Sequence, residues 1–373
     1  MAVLEAQARD LEMLKGMDRL RRLIPRDGFD FSSNDYLGLA ASDELRDDVE
    51  LALARGVPVG SGGSRLLRGN QEEHEALEAE APAFFGCEAS LFFSSGFAAN
   101  ATLLSTLPQS GDRIFVDELI HASCHEGVKL SRATAERVHH NNAQAFAEAI
   151  DRWRQGGGSG RAWIVVESLY SMDGDRAPLA DLLQIAERND GVLIIDEAHA
   201  TGVFGPQGRG LAAPYEGLEH VITVRTCGKA LGCEGALVCG ARLVRDFLIN
   251  RGRGFIFSTA PSPLMAAAVR ASLRLIGLED RRERLHQLMA YGQEKLAPLG
   301  ATKSGSQILP VIVGADRETM RLAARIQAAG FDVRGIRPPT VPQGTSRLRI
   351  SLTLNIDKAA IDALCVAIRD ARR

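Results

Sequence analysis

From about residue 72 onward, short apolar runs alternate with longer stretches in which apolar residues recur with helical spacing. The runs Leu91–Phe93, Ile114–Val116, Trp163–Val166, Val192–Ile195, Val221–Val224, Ala236–Cys239 and Phe255–Phe257 predict strands. The stretches Glu72–Phe85, Phe97–Leu107, Gln144–Trp153, Leu179–Asn189 and Arg242–Asn250 predict the helices between them. Runs such as Val192–Ile195 have no polar side, so their strands are expected to be buried on both faces of a mostly parallel sheet covered by helices. A long helical stretch from Pro263 to Leu299 follows. The pattern strand Leu309–Val313, helix Glu318–Ala329, strand Arg347–Leu352 and helix Ala359–Arg369 then predicts a separate small α/β domain. Gln155–Gly160 is a surface loop, because the alternation resumes unchanged after it.

A chain of 373 residues exceeds one ordinary core and predicts two packed units with a short arm. With 44 basic and 47 acidic residues the net charge is −3, and no basic stripe marks a nucleic-acid partner. Charged residues from Glu5 to Asp18 interrupt the stretch Met1–Arg22, which therefore does not read as the apolar core of a signal peptide. No run is apolar enough to span a membrane. The six cysteines include no C-x-x-C pair, so a reduced cytoplasm is expected. Glycine is abundant, at 37 residues, which points to tight turns or close backbone approaches.

Two familiar strings fail on inspection. Asp196-Glu197-Ala198-His199 spells DEAH, but the only G-K, Gly228-Lys229, is followed by Ala230, and no phosphate loop of a nucleotide hydrolase precedes it. No G-x-G-x-x-G occurs, which removes the dinucleotide fingerprint. His121 and His125 stand four apart on a helix face, yet no third metal ligand accompanies them, and no metal site is expected.

Four elements fit one another better. Ser94-Ser95-Gly96-Phe97 ends a strand and opens a helix, which makes either an ordinary βα turn or a phosphate site at a helix N-terminus. His121 follows Ile114–Val116 closely and is either a satisfied loop histidine or a ring at the carboxyl edge of the sheet. Asp196 ends Val192–Ile195 at that same edge, where open α/β sheets hold ligands. Lys229 lies just past Val221–Val224 between Gly228 and Gly232, which clear space around it; it is either a solvated loop lysine or a Schiff-base former. Together they supply what pyridoxal 5′-phosphate requires: a phosphate site, a ring to stack, an acid for the pyridine nitrogen and an amine for the aldehyde.

From about Leu20 onward the chain resembles the α-oxoamine synthases, within the fold-type I pyridoxal-phosphate enzymes. The resemblance is carried by FSSNDYLGLA (31–40), GSGGSRLLRGN (60–70), SSGFAAN (94–100), HAS (121–123), SMDGDRAPL (171–179), IIDEAHATGVFGPQGRG (194–210), TCGKALG (226–232), FSTAP (257–261) and RPPTVPQGTSRLRISL (337–352). It implies an aspartate aminotransferase-like α/β transferase fold, with an N-terminal segment over 1–40, a large cofactor domain over 41–275 and a small C-terminal α/β domain over 276–373. It further implies that Lys229 binds the cofactor and moves the α-proton, that Asp196 faces the pyridine nitrogen and that His121 stacks on the ring. Ser171 and His199 match positions that reach the phenolic oxygen. Gly96, Phe97 and Thr226 match the phosphate site, and Thr259 is expected from the second subunit of a homodimer. Arg337 matches the arginine that takes the amino-acid carboxylate, helped by Asn34, and Arg21 and Thr340 match positions near the acyl substrate. The chain departs from the pattern between Arg22 and Phe31, where it is shorter, and at Cys227 and Glu234. The implied reaction is a decarboxylative condensation of L-alanine with a pimeloyl thioester of coenzyme A or acyl carrier protein. Sister reactions use glycine, and a non-catalytic homologue would have no physical need of Lys229, Asp196, His121 and Arg337 together.

Overall fold

The computed structural model describes residues 3–373. The first two residues of the expected N-terminal segment lie outside the described residues. Two compact units are formed: one from residues 37–171 and 176–282, the other from the described residues up to Tyr36 together with Met172–Asp175 and Glu283–Arg373.

The larger unit is organised by a seven-stranded sheet: β1 (Ala89–Phe93), β2 (Arg113–Asp117), β3 (Thr134–Val138), β4 (Ala162–Glu167), β5 (Val192–Asp196), β6 (Val221–Thr226) and β7 (Ala236–Gly240). Their order across the sheet is β1-β7-β6-β5-β4-β2-β3. All neighbours from β6 to β3 run parallel, whereas β7 is antiparallel to both β1 and β6. The absence of a polar side in Val192–Ile195 has the expected consequence. Ile194 packs into one core with Leu91, Ile114 and Val224, while Leu193 and Ile195 pack into a second with Phe115, Ile164 and Leu182. Successive side chains of a strand thus fill cores on opposite faces, and helices must cover both.

The predicted strands of this sheet all form, extended by a residue or two at their ends. Phe255–Phe257 does not. It belongs to a short helix, Arg253–Ile256, in which Phe255 packs edge-on to Phe93 at 5.5 Å. Gly254 lies so close to the helix Gly96–Thr106 that a Cβ would sit 2.2 Å from Thr102 Oγ1. A run of three apolar residues cannot distinguish the two elements by period. The helical stretch Pro263–Leu299 is broken into Pro263–Gly277, Asp280–Leu296 and a 3-10 turn at Ala297–Leu299, because Leu278 takes an extended conformation after the first helix.

In the smaller unit, strands Arg334–Ile336, Ser346–Ser351 and Ile308–Gly314 form an antiparallel sheet in that order. Helices Asp316–Ala328 and Lys358–Arg372 pack on one another. The N-terminal segment joins this unit through backbone pairing: Phe29–Asp30 runs parallel to Phe331–Asp332, and Ser351 N–H donates to Phe31 O at 2.8 Å.

Candidate functional site

At the carboxyl ends of β5 and β6 a cavity of about 170 Å³ opens in the larger unit. It is lined by Gly96, Phe97, Asn100, His121, Glu167, Asp196, Ala198, His199, Thr226 and Lys229. Seven of these were singled out in the sequence, from four separate stretches that the strand order brings to one edge.

Gly96 opens the helix Gly96–Thr106, whose N-cap Ser95 accepts the Ala98 N–H through Oγ at 3.1 Å. Such a cap contributes roughly 1 kcal/mol and leaves the other first-turn N–H groups directed out of the helix end. A Cβ on Gly96 would stand 2.6 Å from Thr226 Oγ1, so only glycine lets the helix start and the end of β6 meet here. Gly232 has a different reason to be glycine from the one expected. Its φ is +65°, and a Cβ would strike the backbone of Leu39 and Ala40 rather than crowd Lys229.

Asp196 is buried at the end of β5. Oδ2 accepts from Asn100 Nδ2 at 2.7 Å and Oδ1 from the Ala198 N–H at 2.9 Å. Asn100 Nδ2 is also 3.0 Å from Ser123 Oγ. Among the described residues no cation is hydrogen-bonded to this carboxylate, so its charge is oriented by neutral donors and remains directed into the cavity.

His121 caps the helix Ala122–Leu130. Its Nδ1 accepts the Ser123 N–H at 3.2 Å and lies 2.7 Å from Ser123 Oγ, which fixes the ring and leaves Nε2 as the protonated nitrogen of a neutral imidazole. Partial desolvation pushes its pKa below the ordinary histidine value; Asp196 opposes this shift and Lys229 reinforces it. A neutral ring can stack on a flat cationic partner without charge repulsion. Lys229 Nζ lies 2.8 Å from His199 Nε2. Lys229 sits in a loop closed at its base by Cys227 N–H to Gly235 O at 2.9 Å and by Cys233 N–H to Cys227 O at 2.9 Å.

Two expected residues of this unit lie off the cavity wall. Ser171 donates its backbone N–H to Glu167 Oε2 at 3.2 Å. Thr259 is exposed and lines a separate hollow with Ser64, Leu66, Leu67, Ile256, Phe257 and Ser258.

In the smaller unit, Arg21 Nη2 donates to Thr340 Oγ1 at 3.3 Å. Arg337 donates to Leu20 O at 3.1 Å and has Met320 Sδ at 3.1 Å, and its Nε is buried without a partner. Desolvation, followed by the neighbouring charge of Arg21, lowers the Arg337 pKa. Asn34 is not joined to Arg337. Its Oδ1 accepts from Arg349 Nη2 at 3.0 Å and from Tyr36 OH at 3.0 Å.

Sequence reasoning passed over Arg349, Asn100 and Glu167. Arg349 is buried in a strand, with Nη1 2.6 Å from Ser351 Oγ. An arginine alternating within RLRIS was the available signal, since a central strand buries such a side chain only when it has partners. Asn100 had a signal too, as a polar residue on the buried side of an apolar helix. Glu167 had none, because its importance arises from pairing in register with Asp196. Among the described residues no group of histidines, cysteines and acids is placed to hold a metal ion, and no helix is long and apolar enough to cross a membrane.

Comparison with known proteins agrees with this geometry. An 8-amino-7-oxononanoate synthase from Chromobacterium violaceum is 43% identical over 338 residues, 90% of this chain and 86% of that protein. The solved 8-amino-7-oxononanoate synthase from Francisella tularensis superposes with a TM-score of 0.78 at 29% identity, covering 92% of this chain and 98% of that one. A serine palmitoyltransferase from S. paucimobilis, solved with a PLP–myriocin aldimine, shares the fold with a TM-score of 0.90 at 24% identity, over 100% of this chain and 98% of that one. The family model for aminotransferases of class I and II matches residues 26–368. With a lysine, an acid and a helix N-terminus converging at the carboxyl edge of a mostly parallel sheet, the chain belongs to the class I and II aminotransferase family.

Proposed function

We propose that the chain condenses L-alanine with a pimeloyl thioester to give 8-amino-7-oxononanoate, carbon dioxide and the free thiol carrier, a step in making biotin. The observation that carries this reading is the convergence of Lys229, Asp196 and His121 on one cavity closed at one end by the Gly96 helix start. Pyridoxal 5′-phosphate fits the residues present. Gly96, Phe97 and Thr226 would hold the phosphate, where a Cβ on Gly96 would close the approach to Thr226. Asp196, oriented by Asn100 and the Ala198 N–H, would hold a proton on the pyridine nitrogen through a charge-assisted hydrogen bond. His121 would stack on the ring, with Ser171 and His199 toward the ring oxygen. When bound, the cofactor supplies the electron sink for bond breaking at the alanine Cα.

The remaining work belongs to the protein. Lys229 Nζ takes the α-proton of alanine and returns a proton to that carbon after carbon dioxide has left. Its 2.8 Å contact with His199 Nε2 holds the amine in place between these transfers. The alanine Cα bonds to the thioester carbonyl carbon as the carbon–sulfur bond breaks, and the thiol leaves. Arg337, with Asn34, is assigned the amino-acid carboxylate, and Arg21 with Thr340 the acyl substrate. The planar guanidinium fork matches a carboxylate bidentately, which an ammonium cannot do. We read the protein as a homodimer in which Thr259 serves the partner's site. The exposure of Leu67 (83%), Phe257 (72%) and Leu66 (51%) beside Thr259 supports this. The absence of disulfides among the six cysteines of the described residues supports a cytoplasmic setting.

The test is reconstitution with pyridoxal 5′-phosphate, followed by mass spectrometry of the product formed from alanine or glycine with pimeloyl-coenzyme A or the acyl carrier protein thioester. Product from alanine with a pimeloyl thioester is expected. A preference for glycine would transfer the chain to a sister reaction, and a protein that takes up no cofactor would overturn the reading.

A further inference from the structure

β4 and β5 end side by side, and the last residue of each is an acid: Glu167 is the register partner of Asp196. Register partners of a parallel pair face the same way, and both carboxyls line the cavity. Glu167 is 2% exposed, and no step above uses it. Counting donors separates the two acids. Asp196 receives one side-chain and one backbone N–H, at 2.7 and 2.9 Å. Among the described residues Glu167 receives only the Ser171 N–H, at 3.2 Å on Oε2, and its Oε1 is buried with no hydrogen-bond partner. A buried carboxylate oxygen without a donor carries the full cost of desolvated charge, whereas the protonated oxygen is a donor that needs only an acceptor.

Resting on the cofactor reading above, we propose that Glu167 is a neutral carboxylic acid that donates its Oε1–H to the ring oxygen of bound pyridoxal phosphate, as a positioning residue beside the single anion Asp196. The acceptor follows by elimination on the cofactor's own chemistry. The phosphate is met at Gly96, Phe97 and Thr226, the ring nitrogen by Asp196 and the aldehyde carbon by Lys229; the ring oxygen, assigned above to His199 and Ser171, is the acceptor with a lone pair left, because Ser171 lies off the cavity wall. The surrounding charges agree. Burial and the neighbouring Asp196 push the Glu167 carboxyl well above the ordinary range; Lys229 and the Ser171 amide pull it down, and Asp117 of β2 pushes it up. Tyr170 and Cys124, the other titratable groups nearby, are themselves held well above their ordinary values and add no cation. His121 and His199 complete the ring of groups facing the cavity. Two carboxyls in one desolvated site share one charge more readily than they hold two.

The test begins on cofactor-free protein. The infrared difference between wild type and Glu167→Gln is expected to contain the carbonyl stretch of a protonated carboxylic acid; a carboxylate band in its place would overturn the proposal. Pyridoxal phosphate is then titrated into wild type, Glu167→Gln and Glu167→Ala. The glutamine keeps a neutral donor and is expected to bind within about twofold of wild type with the same absorbance-against-pH profile. The alanine is expected to bind about tenfold more weakly, with its profile displaced. Glutamine as weak as alanine would overturn the neutral acid, and an unchanged alanine variant would overturn the hydrogen bond. Wild type that takes up no cofactor would instead sink the cofactor reading, which the infrared band does not depend on.

Discussion

Asp196 and Glu197 are neighbours in sequence at the end of β5, yet they point to opposite faces of the sheet and meet opposite surroundings. Asp196 turns to the cavity and is held by two neutral N–H donors. Glu197 turns to the other face, where Oε1 accepts the Ala212 N–H at 3.0 Å and Oε2 lies 3.5 Å from the Arg225 guanidinium. Arg225 is itself buried over the Phe85 ring at 4.1 Å, with Glu216 as its near partner. The contrast extends to the arginines. Arg225 is flanked by two acids, while Arg337 donates to a backbone carbonyl and a thioether sulfur, with no carboxylate among its hydrogen-bond partners in the described residues, and keeps a buried Nε without a partner. A charge compensated inside the protein maintains the fold. A charge oriented by neutral groups stays available for a ligand.

The largest effect is expected from Asp196→Asn. It keeps size and most hydrogen bonds but removes the charge, and turnover is expected to fall by at least about a hundredfold while the unfolding midpoint hardly moves. Near-normal turnover would show that the charge is not used, as would a large loss of stability without loss of activity. Arg337→Lys tests the uncompensated arginine: the KM for alanine is expected to rise about tenfold with kcat less affected, because the bidentate fork is lost. An unchanged KM would remove the carboxylate from this residue and turn attention to Arg349, which already holds Asn34.

The smallest effect is expected on the structural side. Burial, which outweighs the attraction of Arg225, raises the Glu197 pKa from 4.5 to about 7 in the folded protein. A folded-state pKa above the unfolded one means that the folded form binds the proton more tightly. Its stabilising contribution is therefore complete below about pH 4.5 and is lost as pH rises through about 7. Glu197→Gln is expected to flatten the dependence of Tm on pH across that window and to leave turnover within a few-fold of wild type. A loss of activity like that of Asp196→Asn would erase the distinction between the two faces.

The sequence announced the residues whose chemistry follows from being at the end of an apolar run. Asp196 and Lys229 stand beside continuous strands, and the strand order that unites them is what the alternation of elements implies. Elements without that contrast were hidden. β3, with the sequence TAERV, is an edge strand with a largely exposed surface, so its polar residues mask its period. Phe255 is buried in a helix too short to display one. The pairing of Asn34 with Arg349 joins residues far apart in the chain, and no spacing rule connects them. Glu167 carries the same lesson at the site itself: a glutamate at a strand end reads as ordinary until the register sets it against a second acid.

The reversed strand β7 has a consequence for how the lysine is secured. Because β6 and β7 are antiparallel neighbours, the segment 227–235 that carries Lys229 is a hairpin connection anchored at both ends in the same sheet. A βα loop, by contrast, leaves the sheet at one end and is anchored there only once. The Lys229 segment therefore closes through local contacts, with little loop entropy to overcome, and can form as soon as the two strands zip together. In native-state hydrogen exchange the amides of Cys227, Gly232 and Cys233, each bonded to a carbonyl within this segment, would open only with the sheet itself. The lysine would be among the last parts of the protein to loosen, and an insertion into its loop among the least tolerated.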